Sequence, residues 1–170
     1  MIKLALHGKK ESGKSTAANY LVDLYGVDVF SFAHNLKVDL AGMGVPWDVI
    51  NKKPWPKWLR VLAQLYGMYR RDQDPNYWIN RFFADVVDAD PEAVVVDDLR
   101  FRNEADALKR NGYTLIKLVK AGHPDDDPHP SEKELDDYDG FHYTIEADPG
   151  DLLTIFEALD EILAKEELNA

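Results

Sequence analysis

Residues 4–21, LALHGKKESGKSTAANYL, decide the architecture. An apolar run, Ile2–His7, reads as a buried strand leading into Gly8 and a polar loop. From Lys14 to Tyr25 the pattern turns helical, with Ala17, Ala18, Leu21, Val22 and Leu24 expected toward a core. Gly8-Lys9-Lys10-Glu11-Ser12-Gly13-Lys14-Ser15 satisfies G-x-x-x-x-G-K-[ST]. Small residues in this order let backbone N–H groups curl around a polyphosphate, and the following helix turns its positive end to the same place. In this reading Lys14 reaches the outer phosphates and the Ser15 hydroxyl ligates Mg²⁺. A chance match in a chain of 170 residues is on the order of one per cent. Glu11 is the odd member, because a carboxylate beside phosphates must point outward or meet a cation.

Outward from this loop, strand and helix patterns alternate. Val27–Phe32 reads as a strand, 35–41 as a short helix, and 42–56 as a turn-rich connection of glycines, prolines and two tryptophans. Helices are expected over 57–69 and 75–89, a buried strand over 93–97, and a helix over 101–111 stopped by Gly112. Strands over 113–119 and 138–145 and a helix over 151–166 complete the chain. This alternation implies one domain built on a mainly parallel sheet covered on both faces. Residues 120–135, KAGHPDDDPHPSEKEL, are too polar and proline-rich for a core and read as a lid loop.

Composition narrows the functions. There is no cysteine, which excludes disulfides and thiolate metal sites and fits a reducing cytoplasm, the host's if the chain is viral. No signal peptide and no bilayer-spanning run stands out, so no membrane partner is expected. A net charge of −11 disfavours a nucleic-acid surface, which would have to neutralise phosphates. An acidic protein that handles phosphates must gather its few cations in one place.

Two other segments supply candidates. AVVVDDLRFRNEADAL ends a strand with Asp97 and Asp98 and sends Arg100 and Arg102 into the same neighbourhood. An acid at such a strand tip holds the Mg²⁺ water shell in P-loop folds; otherwise these acids and arginines neutralise each other in solvent. In the segment 57–78, Leu62, Leu65, Tyr66 and Tyr69 follow i, i+3, i+4, i+7 and are expected to face the core. Arg60, Gln64, Gly67 and Arg71 then form the opposite stripe, with Arg70 off it; the stripe either grips a phosphate and a base edge or faces water. Gly67 costs about 1 kcal/mol against alanine inside a helix, which fits either close approach of a ligand or an early helix end. Phe32 and Trp78 either stack on a base or fill the core. His123, Asp125, Asp126, Asp127 and His129 superficially resemble a metal cluster but lack fixed ligand spacing and read as a solvated loop. The nearest approach to a guanine-selecting N-K-x-D, Asn51–Pro54, has proline in place of the acid.

These segments, in order, resemble the deoxynucleoside monophosphate kinases of bacteriophages, a branch of the P-loop nucleoside monophosphate kinase superfamily. The resemblance runs through GKKESGKSTAA, SFAHNLK (like F-A-x-x-L-K), an arginine followed by Q-x-x-G, DPNYW, DDLRFRNEA (like D-x-R-F-x-N-E), HPSE and YDGFHYTIEAD. It implies a three-layer α/β/α P-loop kinase-like fold with a five-stranded, mainly parallel sheet, a helical acceptor-binding insertion at about 35–90 and a lid at about 120–135. It implies ATP and Mg²⁺ as cofactors and a deoxynucleoside monophosphate as acceptor, in a monomer or homodimer. By position, Gly8, Lys9, Lys10, Glu11, Ser12, Gly13, Lys14, Ser15 and Thr16 would cradle ATP. Ser15 and Asp98 would hold the metal, and Lys14, Asp98, Arg100 and Arg102 would act in transfer. Phe32, Lys37, Arg60, Gln64, Arg71 and Trp78 would lie toward the acceptor. The chain departs from the family in carrying Ser15 where aspartate is common. It also has Lys120 where arginine is usual, so either Lys120 and Lys133 of the lid would replace lid arginines or their duty would fall to Arg100 and Arg102. A kinase with a dephospho-coenzyme-A-like acceptor and a non-catalytic nucleotide-binding module are the competing expectations.

Overall fold

The computed structural model describes residues 1–122 and 133–168. Its strands are β1 (Ile2–Gly8), β2 (Asp28–Phe30), β3 (Ala93–Val96), β4 (Thr114–Lys120) and β5 (Tyr143–Ala147). Its helices are α1 (Lys14–Tyr25), α2 (Phe32–Gly42), α3 (Trp47–Asn51), α4 (Lys57–Gln73), α5 (Tyr77–Ala89), α6 (Arg102–Arg110) and α7 (Leu152–Leu168). Two compact units result: Met1–Phe30 with Asp90–Ala170, and Ser31–Ala89.

The first unit holds the sheet, ordered β2-β3-β1-β4-β5 with every pairing parallel. β1 is central, with Ala5 opposite Val96 on one side and Gly8 opposite Leu118 on the other. Parallel strands covered on both faces must be apolar throughout, and Val94, Val95 and Val96 are fully buried. Leu4, Leu6, Val95, Ile116 and Leu118 point to one face, where they pack with Ala17, Ala18 and Leu21 of α1 and Ile155, Leu159, Ile162 and Leu163 of α7. Alternation leaves Ala5, Val94, Val96 and Leu115 for the other face, where α6 packs against β4 and buries Ala105, Ala107 and Leu108. This is the three-layer arrangement expected.

The structure corrects some boundaries and faces. Val22 and Leu24 are 36% and 63% exposed, because the covered stripe of α1 narrows to Ala17, Ala18 and Leu21. The last strand starts at Tyr143, not Tyr138. The Tyr138 hydroxyl donates to Asp106 (2.8 Å) and its ring folds so tightly over Gly140 that a Cβ there would overlap it, so the ladder forms only after this reversal. Strand β2 is shorter than expected, and α2 begins at Phe32.

The second unit is helical. Leu40, Val45, Ile50, Leu59 and Ala63 form its core, with Leu62 half-buried against it. The short helix α3 lies inside the segment expected to be only turns; Trp55, just past it, donates its indole N–H to the Ile50 carbonyl within it (2.6 Å). The expected core face of α4 is rotated: Leu65 and Tyr69 are 64% and 56% exposed, and Leu59 and Ala63 are buried. Helix α4 carries two apolar stripes, and α2 and α5 cover only the one containing Leu59 and Ala63.

Candidate active site

The loop after β1 is shaped by its glycines. A Cβ on Gly8 would lie 2.7 Å from the Leu118 carbonyl oxygen, and Gly13 adopts φ 90° where its own Cβ would meet Ile155 at 2.8 Å. At Gly8 a side chain would run into the β4 backbone, and at Gly13 the left-handed backbone itself disfavours one. Gly13 caps α1, whose first intrahelical bond is Ala17 N–H to the Gly13 carbonyl (2.8 Å). The N–H groups of the preceding first turn, Lys14 to Thr16, have no intrahelical acceptor and form an anion-binding end. The Lys14 ammonium donates across the loop to the Gly8 and Lys9 carbonyls, the latter at 2.9 Å. The Ser12 hydroxyl is buried without a hydrogen-bond partner. Glu11 turns outward in a left-handed conformation (φ 62°) and its carboxylate meets Lys120 at 3.4 Å.

A cavity of about 360 Å³ opens beside this loop. Lys9, Lys10, Lys117 and Lys120 line it, opposed by Glu11 and Asp136. Asp136 pairs with Lys9 (3.0 Å), and its carbonyl accepts from Lys117 (3.3 Å). Four lysines thus line one cavity of an acidic chain, two of them paired with carboxylates. Buried orphan oxygen, open helix end and clustered lysines fit a polyphosphate. Ser15, exposed in the first turn, and Asp98, just beyond β3, are oxygen donors of the kind Mg²⁺ takes.

Because Ala5 pairs with Val96 in parallel, Asp97, Asp98 and Arg100 emerge at the same sheet edge as the phosphate loop. The buried Glu104 carboxylate accepts the backbone N–H groups of Arg100 (3.2 Å) and Phe101 (3.1 Å), fixing the turn that presents Arg100 and capping α6. Arg102 is already engaged in this arrangement: it bonds the Glu134 carbonyl (3.0 Å), pairs with Asp137 and lies over the Tyr138 ring.

His7 is a residue that sequence reading missed. It is 3% exposed, its Nδ1 is 2.9 Å from the Leu99 carbonyl oxygen, and its ring stacks on Phe141. Only an Nδ1–H tautomer can bond a carbonyl, so the buried Nε2 carries a lone pair with no donor facing it. Burial pushes its pKa down to about 4, the Leu99 bond opposes this, and Lys14, Lys117 and Arg100 add to the fall. The unfolded chain takes up this proton near pH 6.5, whereas the folded protein refuses it until about pH 4, so stability present above pH 6.5 is lost on acidification. His142 shifts the same way, so the comparison must be with His7→Asn. Between pH 6.5 and 4 the native chain should lose roughly 3 kcal/mol more than that variant. Denaturant titrations at stepped pH measure this, and equal slopes would refute a neutral His7.

In the helical unit, Asp39 organises a polar cluster. Burial works against its charge, but hydrogen bonds from Arg81, Tyr66 (2.9 Å) and Tyr77 (3.3 Å) prevail and hold its pKa low. Arg70 belongs to this cluster, bonding the Tyr66 hydroxyl at 2.8 Å and lying 4.7 Å over the Tyr77 ring. Arg71 instead has a buried Nη1 that lacks a hydrogen-bond partner. Arg60 and Gln64 are exposed and Lys37 is half-buried. The two aromatics expected against a base are packing residues here. Phe32 is 4% exposed with its ring 4.6 Å from Phe82, and Trp78 is 2% exposed, donates to the Gly67 carbonyl (3.1 Å) and sits edge-on to Tyr66 and Tyr77. Neither ring has an open face for a base.

A Cβ on Gly67 would touch only Leu36, at an unstrained 3.9 Å. Gly67→Ala is therefore expected to raise stability by about 0.5–1 kcal/mol. If the nucleotide approaches this backbone, the same variant raises its KM; urea melts and acceptor titrations read the two effects separately.

The expected lid and the His123–His129 cluster fall largely outside the described residues; Lys133 is exposed. Among the described residues no acid or histidine group forms a metal-binding cluster, and no helix is long and apolar enough to cross a membrane.

A parallel five-stranded sheet with a glycine-rich, lysine-lined loop at the tip of its central strand defines a P-loop kinase-like α/β protein. In overall fold it is similar to a sugar kinase from Janibacter sp., with a TM-score of 0.53 at 15% identity over 94% of this chain and 93% of that one. No family model matches the sequence. It is 35% identical to a putative deoxynucleotide monophosphate kinase of Acanthamoeba polyphaga mimivirus, over 79% of this chain and 82% of that protein. It is 30% identical to the deoxynucleotide monophosphate kinase of Enterobacteria phage T4, over 68% of this chain and 50% of that protein. The chain belongs to the deoxynucleotide monophosphate kinase family.

Proposed function

We propose that the chain moves the γ-phosphate of ATP to a deoxynucleoside 5′-monophosphate, releasing ADP and a deoxynucleoside diphosphate. The observation that carries this reading is the Gly8–Ser15 loop, whose open helix end, buried Ser12 hydroxyl and ring of lysines match a polyphosphate. The names of the viral relatives support a deoxynucleotide acceptor.

In this mechanism the loop N–H groups bind the β- and γ-phosphates, and Lys14 leaves the Gly8 and Lys9 carbonyls to bond phosphate oxygens. Ser15 and Asp98 would hold Mg²⁺, which when bound neutralises phosphate charge. Glu11 does not repel the substrate because Lys120 meets its carboxylate. Arg100 stabilises the charge that spreads over the transferring phosphoryl group. Arg102 joins it only by giving up Asp137. The first unit is thus the donor site. The helical unit carries the acceptor through Lys37, Arg60, Gln64 and Arg71. No general base is needed, because the attacking acceptor oxygen is already an anionic phosphate oxygen; the protein aligns it and neutralises charge.

A coupled assay for ADP, run with a panel of ribo- and deoxynucleoside monophosphates and dephospho-coenzyme A, tests the reading. Deoxynucleotide-dependent ADP release is expected. Release driven only by dephospho-coenzyme A, or ATP binding without acceptor-dependent release, would overturn it.

A further inference from the structure

His7 is polar where its neighbours on the same sheet face are not. Alternation sets it with Ala5, Val96 and Leu115, and all three are apolar and fully buried. A residue that only filled space there would be apolar too, because burying an imidazole costs free energy that a hydrogen bond must offset. His7 makes one such bond, from Nδ1–H to the Leu99 carbonyl (2.9 Å), and leaves Nε2 without a hydrogen-bond partner. Phe141 holds the ring for that bond, stacked 5.4 Å away at 27°.

What the bond grips decides its use. The Leu99 carbonyl and the Arg100 N–H belong to one planar peptide group. His7 holds the oxygen of that group, and Glu104 holds its N–H (3.2 Å). Rotating this plane is the smallest backbone motion that re-aims Arg100, and it breaks both bonds at once. Glu104 lies four residues on, at the start of α6, so its bonds fix the shape of the turn but not its place relative to the Gly8–Ser15 loop. The ladder between β1 and β3 ends at Ala5 and Val96. The His7–Leu99 bond extends the connection past that point. His7 directly precedes Gly8, whose carbonyl accepts from Lys14.

We infer that His7 is a positioning residue for phosphoryl transfer: through the Leu99 carbonyl it locks the peptide carrying Arg100 to the tip of β1, so that Arg100 and the loop keep one geometry. This rests on the reading of Arg100 as a transfer residue. A misplacement of about 1 Å near reacting atoms costs on the order of 10²-fold in rate, which sets the scale of the effect.

Kinetics and amide exchange on the full chain test this together. His7→Leu keeps a side chain of similar size and removes the bond. It should lower kcat by about 10- to 100-fold and change KM for ATP by less than about threefold, since donor binding belongs to the loop. In an Arg100→Ala background the same substitution should cost less than about threefold, because the group it positions is gone. His7→Asn places an amide N–H on the second bond from Cβ, where Nδ1–H stood, and should keep kcat within about threefold of native. His7→Gln carries that amide one bond further and should not. By NMR, the Arg100 amide should exchange at least about 10-fold faster in His7→Leu and His7→Gln than in the native chain or His7→Asn, with the β1 amides unchanged. Equal losses with and without Arg100, no difference between His7→Asn and His7→Gln, or a native exchange rate at Arg100 in His7→Leu would each overturn the inference. Should His7→Leu fail to fold, the asparagine and glutamine variants decide. A native chain without acceptor-dependent transfer would sink the kinase reading, and the exchange rates would still show whether His7 holds the turn.

Discussion

Lys14→Ala is expected to lower turnover by about 10³-fold or more and to leave the fold intact. The ammonium is the one side-chain cation mounted on the phosphate loop's own helix start, where it spans the Gly8 and Lys9 carbonyls. Removing a preorganised donor aimed at developing charge costs on the order of 10²–10³ in rate, and Lys14 serves both a bound phosphate and the transferring group. Folding loses little, because only loop carbonyls give up a bond; two such bonds amount to roughly 1–3 kcal/mol. Single-turnover transfer rates and a thermal melt on the same preparation measure both quantities. Near-normal transfer by the variant would remove the loop from the mechanism altogether.

Arg100→Ala should cost about 10²-fold or more in kcat with little change in KM for ATP, because the bond it supplies strengthens as charge spreads in the transition state. The site explains why this truncation can be read cleanly. The turn carrying Arg100 is held through its backbone N–H and that of Phe101 by the buried Glu104 carboxylate, and the alanine variant keeps both bonds. A variant with native kinetics and a lower melting temperature would make Arg100 structural. Arg102→Ala is the useful contrast, since its guanidinium already bonds Asp137 and the Glu134 carbonyl.

Motifs in the sequence mixed two kinds of residue. In DDLRFRNEA, Asp98 and Arg100 are candidates for chemistry, whereas Glu104 satisfies backbone donors at the start of α6. Both kinds look alike in a pattern of letters, because a fixed spacing serves a helix cap as well as a ligand. Trp78 and Phe32 show the same ambiguity resolved toward packing: an aromatic near a site has large apolar area to bury, and neighbouring helices cover it. His7 escaped notice because nothing local marks it. Its partner, the Leu99 carbonyl, is 92 residues away and becomes adjacent only through the parallel pairing of β1 and β3.

By itself the sequence determined the glycine-rich loop after the first strand, the parallel sheet and the helix that follows the loop. Those depend on contiguous residues, on glycine's access to left-handed backbone at Gly13 and on apolar runs long enough for a buried strand. Tertiary structure alone decided which face of α4 is covered, that Arg70 joins the Asp39 cluster while Arg71 keeps a buried nitrogen without a hydrogen-bond partner, and that Glu11 finds Lys120. A helical period reports that apolar stripes exist, but burial is set by the helices that arrive from elsewhere in the chain. Where α4 has two such stripes, only the positions of α2 and α5 could choose between them.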